Sequence, residues 1–245
     1  MSLSVLPDYA TVAVAEHALA SMLALGTRLH LANDRSRGLE VDGVSLRGVE
    51  LRGRTLGVIG MGRIGTSLAR LAAGIGMTVI GSDSDPRARK EAAAAGFTVT
   101  TTEALIEEAQ VVAICAATDP HDPTVLTPRR IARLRRGAFV VNVGRPVLVD
   151  SPSIARALRE ERLRGYAVDD VVYDPVEDAD LLEEGRVLQT AHSAWWRDEV
   201  LARGAEHFAT TILAAVAGAP TDVVTRPAHA WPSAPRRVLL SEGAS

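Results

Sequence analysis

An α/β fold built on a doubly wound parallel sheet is what this sequence predicts, and three observations carry the prediction. Short, wholly apolar runs recur along the chain, as strands buried on both faces of a parallel sheet require. Between them lie stretches of helical character, three of them opened by a polar residue and a proline: Asp85-Pro86, Thr127-Pro128 and Ser151-Pro152. Such starts join an N-cap side chain to a ring that presets the first helical φ. Third, a glycine-rich turn separates the first strong apolar run from the helix behind it. Alternation of this kind sets strands parallel and lays helices on both faces.

Taken in order, residues 12–31 carry Val12, Ala15, Leu19, Met22, Leu23 and Leu29 at helical spacing and predict one helix. A polar, glycine-containing connection, 32–54, follows. Residues 56–59 are the first strand, a helix starts near Gly65, and a second apolar run ends at Asp83. A helix over 87–95, a strand over 111–116, a helix after Thr127-Pro128 and a strand over 138–143 come next. Another helix starts at Ser151-Pro152, then two strands over 167–172 and 187–190, then an amphipathic helix from about 198 to 217. The proline-rich stretch 218–245 has no periodicity and reads as a loose tail. The resulting division is a helix in 1–31, a sheet domain over 32–195, a final helix over 196–217 and the tail.

Bulk properties narrow the function. Hydrophobic residues make up 47% of the 245, enough for a substantial core, and the net charge of −3 gives no electrostatic reason to expect nucleic acid. One cysteine, Cys115, excludes an intramolecular disulfide, reads as a small core residue and suits a reducing cytoplasm. No apolar run reaches the ~20 residues of a membrane span, and the start MSLSVLPDYA lacks the basic and apolar regions of a secretory signal. Heavy use of alanine and arginine points to a GC-rich bacterial genome. The arginines at 129, 130, 133, 135 and 136 read as a solvated helix face, and no metal site is expected.

The segment LRGRTLGVIGMGRIGTSLARLAAGIGMTVIGSD, residues 51–83, reads strand, glycine turn, helix, strand, acid. That order is the Rossmann fingerprint of dinucleotide binding. In Gly60-Met-Gly62-Arg63-Ile64-Gly65 the first glycine permits the turn, the second lets a pyrophosphate approach the backbone, and the third lets helix and strand pack closely. The amides at the helix start face the phosphates. Asp83, eighteen positions after Gly65, offers a carboxylate to a ribose diol and repels a 2′-phosphate, which predicts NAD rather than NADP.

Three further sites follow predicted strands, where ligands of open parallel sheets collect. Asn142 and Arg145 follow 138–141, Asp169 and Asp174 follow the 165–168 region, and His192 follows 187–190. An arginine forks a carboxylate, a histidine moves a proton, and a carboxylate orients the histidine. The set suits a carbonyl acid.

With these residues in view, the chain resembles the D-isomer-specific 2-hydroxyacid dehydrogenases. The segments PDYATVAVAEHALA, the glycine fingerprint, RRGAFVVNVGRPVLVD, ERLRGYAVDD and QTAHSAWW stand in the family's order and spacing. AHSAWW is similar to the branch containing the C-terminal-binding-protein corepressors. The resemblance implies that Arg145 binds and polarises a 2-oxo acid, that His192 is the proton donor or acceptor, and that Asp174 replaces the usual glutamate beside it. It also implies that Asp169 lies beside the nicotinamide carboxamide and that Trp195 forms part of the substrate wall. His17 matches a histidine of the family's helix motif and reads as structural. The family pattern makes residues 1–31 a hinge and dimer helix, the remnant of a substrate domain most of which this chain lacks, and implies a homodimer.

The pattern departs in three more places: Asp174 is one methylene short, Pro146 replaces a small residue after the arginine, and Ala191 replaces the proline before the histidine. Two functions follow. One is an NAD-dependent oxidoreductase of a small 2-oxo or 2-hydroxy acid or related carbonyl. The alternative is an NAD(H)-binding scaffold or regulator with little turnover, favoured because the missing part of the family's substrate domain holds a glycine-containing loop that helps anchor the substrate carboxylate.

Overall fold

The computed structural model describes residues 3–39, 44–119, 121, 124–219 and 221–224. They form two compact units, one of Ala10–Val200 and one joining the segment up to Tyr9 with the chain from Leu201 onward. After β1 (Leu3–Ser4), α1 spans Thr11–Thr27 and α2 spans Leu29–Ser36. The single helix expected over 12–31 is therefore two. Arg28 sits between them at φ 58°, a left-handed backbone that ends the first hydrogen-bond ladder, and its amide closes on the Ala24 carbonyl.

The sheet of the larger unit begins at β2 (Thr55–Ile59), followed by α3 (Arg63–Gly74), β3 (Thr78–Ser82), α4 (Pro86–Ala94), β4 (Thr98–Val99), α5 (Thr102–Glu108) and β5 (Val111–Ile114). Then come α6 (Pro128–Ile131), β6 (Ala138–Asn142), a 3-10 turn (Pro146–Leu148), α7 (Ser151–Arg159), β7 (Leu163–Val168), α8 (Ala179–Glu183) and β8 (Val187–Gln189). The seven strands are parallel in the order β4-β3-β2-β5-β6-β7-β8. Chain direction across the sheet reverses between β2 and β5, which opens a crevice at their carboxyl ends. All three proline-opened helices form, capped by Asp85, Thr127 and Asp150, the last one residue ahead of the expected start.

Strand residues alternate between two cores. Leu56, Val58, Val111, Ala113, Phe139 and Val141 face α1 and α3, while Ile59, Val112, Ile114, Val140 and Val168 face α5, α6 and α7. The predicted stripe divides: Ala15 and Met22 are buried with Ala18 and Leu25 against α3 and the sheet, whereas Val12, Leu23 and Leu29 are exposed. Arg130 and Arg133 of the arginine cluster reach back to Glu103 and Glu107 of α5, each at 2.6 Å.

Helix α9 (Asp198–Val216), which belongs to the smaller unit from Leu201 onward, leads to β9 (Val223–Val224), which pairs antiparallel with β1. The expected loose tail thus begins with an ordered turn and strand; its remainder, 220 and 225–245, lies outside the described residues. Among the described residues no helix is long and apolar enough to cross a membrane, and no cluster of metal-binding side chains occurs.

Candidate active site

The glycine turn closes β2 against the end of β5. Gly60 takes φ 95°, and a Cβ there would meet the Ala116 amide nitrogen at 2.5 Å. A Cβ on Gly65 would overlap the Gly60 carbonyl oxygen, so helix and turn touch through backbone. Gly62 differs: a Cβ there would find nothing within 4 Å, and no side chain caps the helix start beside it. The turn is tight on its protein side and open on the side where a pyrophosphate needs room. Arg63 and Ile64 are the first residues of α3.

Asp83, just past β3, ties the two strand ends together. Its Oδ2 accepts from the Met61 amide at 2.7 Å and its Oδ1 from the Asp85 amide at 2.8 Å. A carboxylate has about four acceptor positions, so each oxygen retains capacity for a ribose hydroxyl. Arg89 donates to the carbonyls of Asp83 and Ser84, both at 2.9 Å, which brings a guanidinium to the same corner. The open Gly62, the uncapped helix and Asp83 fit a dinucleotide. Nearby, loss of hydration pushes the Cys115 thiol up to about 12, so it stays protonated at neutral pH.

At the end of β6 the buried Asn142 shapes the next turn. Its Nδ2 donates to the Arg145 carbonyl at 2.9 Å and its Oδ1 accepts from the Gly144 amide at 3.0 Å. Arg145 is held extended at φ −131°, as a residue before proline is, with Pro146 opening the 3-10 turn. Its guanidinium donates to the Gly144 carbonyl and makes no ion pair among the described residues. An exposed arginine on a rigid turn is ready for an incoming carboxylate.

Asp169, past β7, holds the turn that carries His192. Its Oδ1 accepts from Thr190 Oγ1 at 2.8 Å and from the Ser193 amide at 2.8 Å, and its Oδ2 accepts from the Ala194 amide at 3.1 Å. Between these anchors Ala191 and His192 stand at φ 49° and 59°, left-handed for two residues that both carry a Cβ. Each such residue costs about 1–3 kcal/mol and persists only where its surroundings hold it. A proline ring, locked near φ −65°, could not occupy position 191 in this turn. His192 is exposed, and Trp195 meets Trp196 edge-on with ring centres 5.0 Å apart.

Asp174 does not reach His192. Its carboxylate accepts from the amides of Val176 at 2.7 Å and Glu177 at 3.1 Å, and these bonds, that from Glu177 first, lower its pKa. No hydrogen bond or ion pair links it to the histidine among the described residues.

Sequence reasoning missed the partner on α1. His17 Nε2 lies 2.9 Å from Thr190 Oγ1 and 3.8 Å from Asp169 Oδ1, and Arg197 approaches its Nδ1 at 3.4 Å. A lone histidine on an apolar helix face carries no signal for partners 150 and more positions away; only the fold brings them together.

Comparison with known proteins identifies the family. Residues 19–194 match the family model of the D-isomer specific 2-hydroxyacid dehydrogenase, NAD binding domain. The chain is 32% identical over 188 residues to D-3-phosphoglycerate dehydrogenase of Methanocaldococcus jannaschii, covering 76% of this chain and 36% of that protein. It is 31% identical over 172 residues to D-lactate dehydrogenase of Escherichia coli, covering 70% and 51%. Among solved structures, D-lactate dehydrogenase of Aquifex aeolicus complexed with NAD and lactic acid superposes with a TM-score of 0.75 at 26% identity, covering 89% of this chain and 70% of that one. The chain thus spans between about a third and about half the length of those two curated relatives.

Proposed function

Because this chain belongs to the D-isomer specific 2-hydroxyacid dehydrogenases and carries their NAD-binding domain, we propose that it interconverts a small 2-oxo and 2-hydroxy acid, or a related carbonyl, with NAD(H). Bound NAD supplies or accepts the hydride. The turn from Gly60 to Gly65 holds the pyrophosphate against the start of α3, and Asp83 takes the ribose diol. Arg145 forks the substrate carboxylate and polarises the carbonyl, while His192 gives the proton in reduction and takes it in oxidation. Asp169 and Asn142 frame the nicotinamide end, and Trp195 walls the substrate. Asp174 turns toward His192 only if its own turn opens.

The observation that carries this reading is the pair of braced turns past the carboxyl ends of β6 and β8. Asn142 braces the exposed Arg145 and Asp169 braces the exposed His192. We place the protein in a bacterial cytoplasm as a homodimer, without nucleic-acid or membrane partners; the net charge of −3 speaks against nucleic acid and the single cysteine suits a reducing compartment. A second reading, an NAD(H)-binding regulator with little turnover, is favoured by the capture of Asp174 within its own turn. NADH oxidation by the purified chain against a panel of 2-oxo acids separates the two. Turnover of any member supports the enzyme, whereas tight NADH binding with none supports the regulator.

A further inference from the structure

His17, Thr190, Asp169, Ser193 and Arg197 close a ring around the base of the histidine turn. Donor directions around it are fixed by chemistry. The single proton of the Thr190 hydroxyl goes to Asp169 Oδ1 at 2.8 Å, because a carboxylate only accepts. Thr190 Oγ1 must then accept from His17, so Nε2 carries the ring proton across the 2.9 Å contact. On the other side Nδ1 faces a guanidinium nitrogen of Arg197 at 3.4 Å, and a guanidinium only donates, so Nδ1 keeps its lone pair. Arg197 also donates to the Ser193 carbonyl at 3.2 Å, and the Ser193 amide returns to Asp169 at 2.8 Å. One neutral tautomer satisfies every member; an imidazolium would set two donors against each other at Nδ1.

We infer that His17 is a positioning residue for His192: its neutral imidazole, bridging Thr190 and Arg197, locks the left-handed turn that presents the proton-transfer histidine. The inference rests on the reading of His192 given above. It explains why a strained step at Ala191 and His192 persists on an exposed surface, since both ends of the step are tied to a helix of the core. Burial and the Arg197 charge both act against protonation of the ring, while Asp169 acts the other way; Glu16, its neighbour on α1, is exposed.

The test compares His17→Gln with His17→Leu. Glutamine can donate its amide N–H to Thr190 and accept from Arg197 at its carbonyl; leucine keeps bulk and does neither. Amide hydrogen exchange at Ser193 and Ala194 should speed up roughly tenfold in the leucine variant, the loss of about one good hydrogen bond, and stay near wild type in the glutamine variant. Thr190→Val should match the leucine variant, and the double variant should be no worse than either single one. Should the leucine variant not fold, the glutamine and valine variants make the same comparison. Ring ¹⁵N shifts should show His17 protonated at Nε2 and bare at Nδ1. Where a 2-oxo acid is turned over, His17→Leu should lower kcat with KM for NADH unchanged, and His17→Gln should restore it. Unchanged exchange in both His17→Leu and Thr190→Val, a glutamine variant as loose as the leucine one, or a ring proton on Nδ1 would overturn the proposal. If no 2-oxo acid is turned over, the enzymatic reading fails on its own, and the exchange data still decide whether His17 locks the turn.

Discussion

Asp83 meets two demands with one carboxylate: it fixes the glycine turn through the Met61 amide and presents acceptor capacity at the crevice. Serine keeps one oxygen in place of two and removes the charge that repels a 2′-phosphate, and the Arg89 guanidinium already stands at that corner. Asp83→Ser should narrow the preference for NADH over NADPH by roughly ten- to a hundredfold, the equivalent of one or two charged hydrogen bonds. NADPH binding as tight as NADH by the unaltered chain would remove Asp83 from the cofactor site. His192 is best replaced by asparagine, which tolerates a left-handed backbone better than alanine. His192→Asn should cut turnover by roughly 10²–10⁴-fold and leave the NADH dissociation constant nearly intact; full turnover would mean another group moves the proton. His17 gives the pH prediction. Burial holds its folded pKa below the ordinary 6.5, so the native state favours the neutral ring. As pH falls through 6.5 the unfolded chain takes up that proton first, and stability is lost on the way down to the lower folded value. His17→Gln has no proton to take up there. Urea midpoints measured between pH about 7.5 and about 5 should fall further for wild type than for this variant, and parallel curves would contradict the assignment.

At the scale of elements, the strand β2, its turn and α3 form a unit in which two glycines fail differently. A Cβ on Gly65 would overlap backbone, so Gly65→Ala should destabilise the fold by about 1–3 kcal/mol, read as a lowered urea midpoint. Gly62→Ala meets no protein atom within 4 Å, so its midpoint should stay near wild type while NADH affinity falls. A Gly62→Ala protein that binds NADH normally would mean the pyrophosphate lies elsewhere. This unit was legible in the sequence because turn, helix and acid are local and each carries its own residue type. Elements whose cause is tertiary were not. The strand β7 starts at Leu163 rather than 167, because Arg164 and Gly165 interrupt the apolar run; Gly165 fits because a Cβ would crowd Leu25 and Phe139 at 3.1 and 3.2 Å. Helix α5 buries only Leu105 and Ile106, too few for a period to show. The site divides the same way: the positions of Arg145 and His192 at strand ends followed from the alternation of elements, whereas the ring around His17 and the capture of Asp174 by the amides of its own turn arise from contacts no spacing records.

For the whole molecule, the apolar stripe over residues 12–31 and the amphipathic helix α9 both carry large apolar side chains, and the fold buries part of the first. Ala15, Ala18, Met22 and Leu25 of α1 lie in the core, while Val12 and Leu23 of α1 and Leu29 of α2 stay exposed. The face on α9 remains: Phe208, Ile212, Leu213 and Val216 are 60%, 46%, 69% and 81% exposed, at spacings that put them on one side of the helix. Four large side chains left in water on one face are enough for an apolar patch of a few hundred Å², a size that in soluble proteins marks an interaction surface. A two-fold pair of such faces is self-complementary, and cyclic dimers are the commonest assembly. The proposed homodimer is therefore expected to close through α9. Light scattering at micromolar concentration should give twice the chain mass, and Phe208→Glu with Leu213→Glu should give a monomer, because two charges per copy would be desolvated at the contact. NADH affinity should be unchanged in that variant, since Gly60, Gly62 and Asp83 belong to the other unit of the fold. A wild-type chain that scatters as a monomer at the same concentration would exclude this face as a dimer contact.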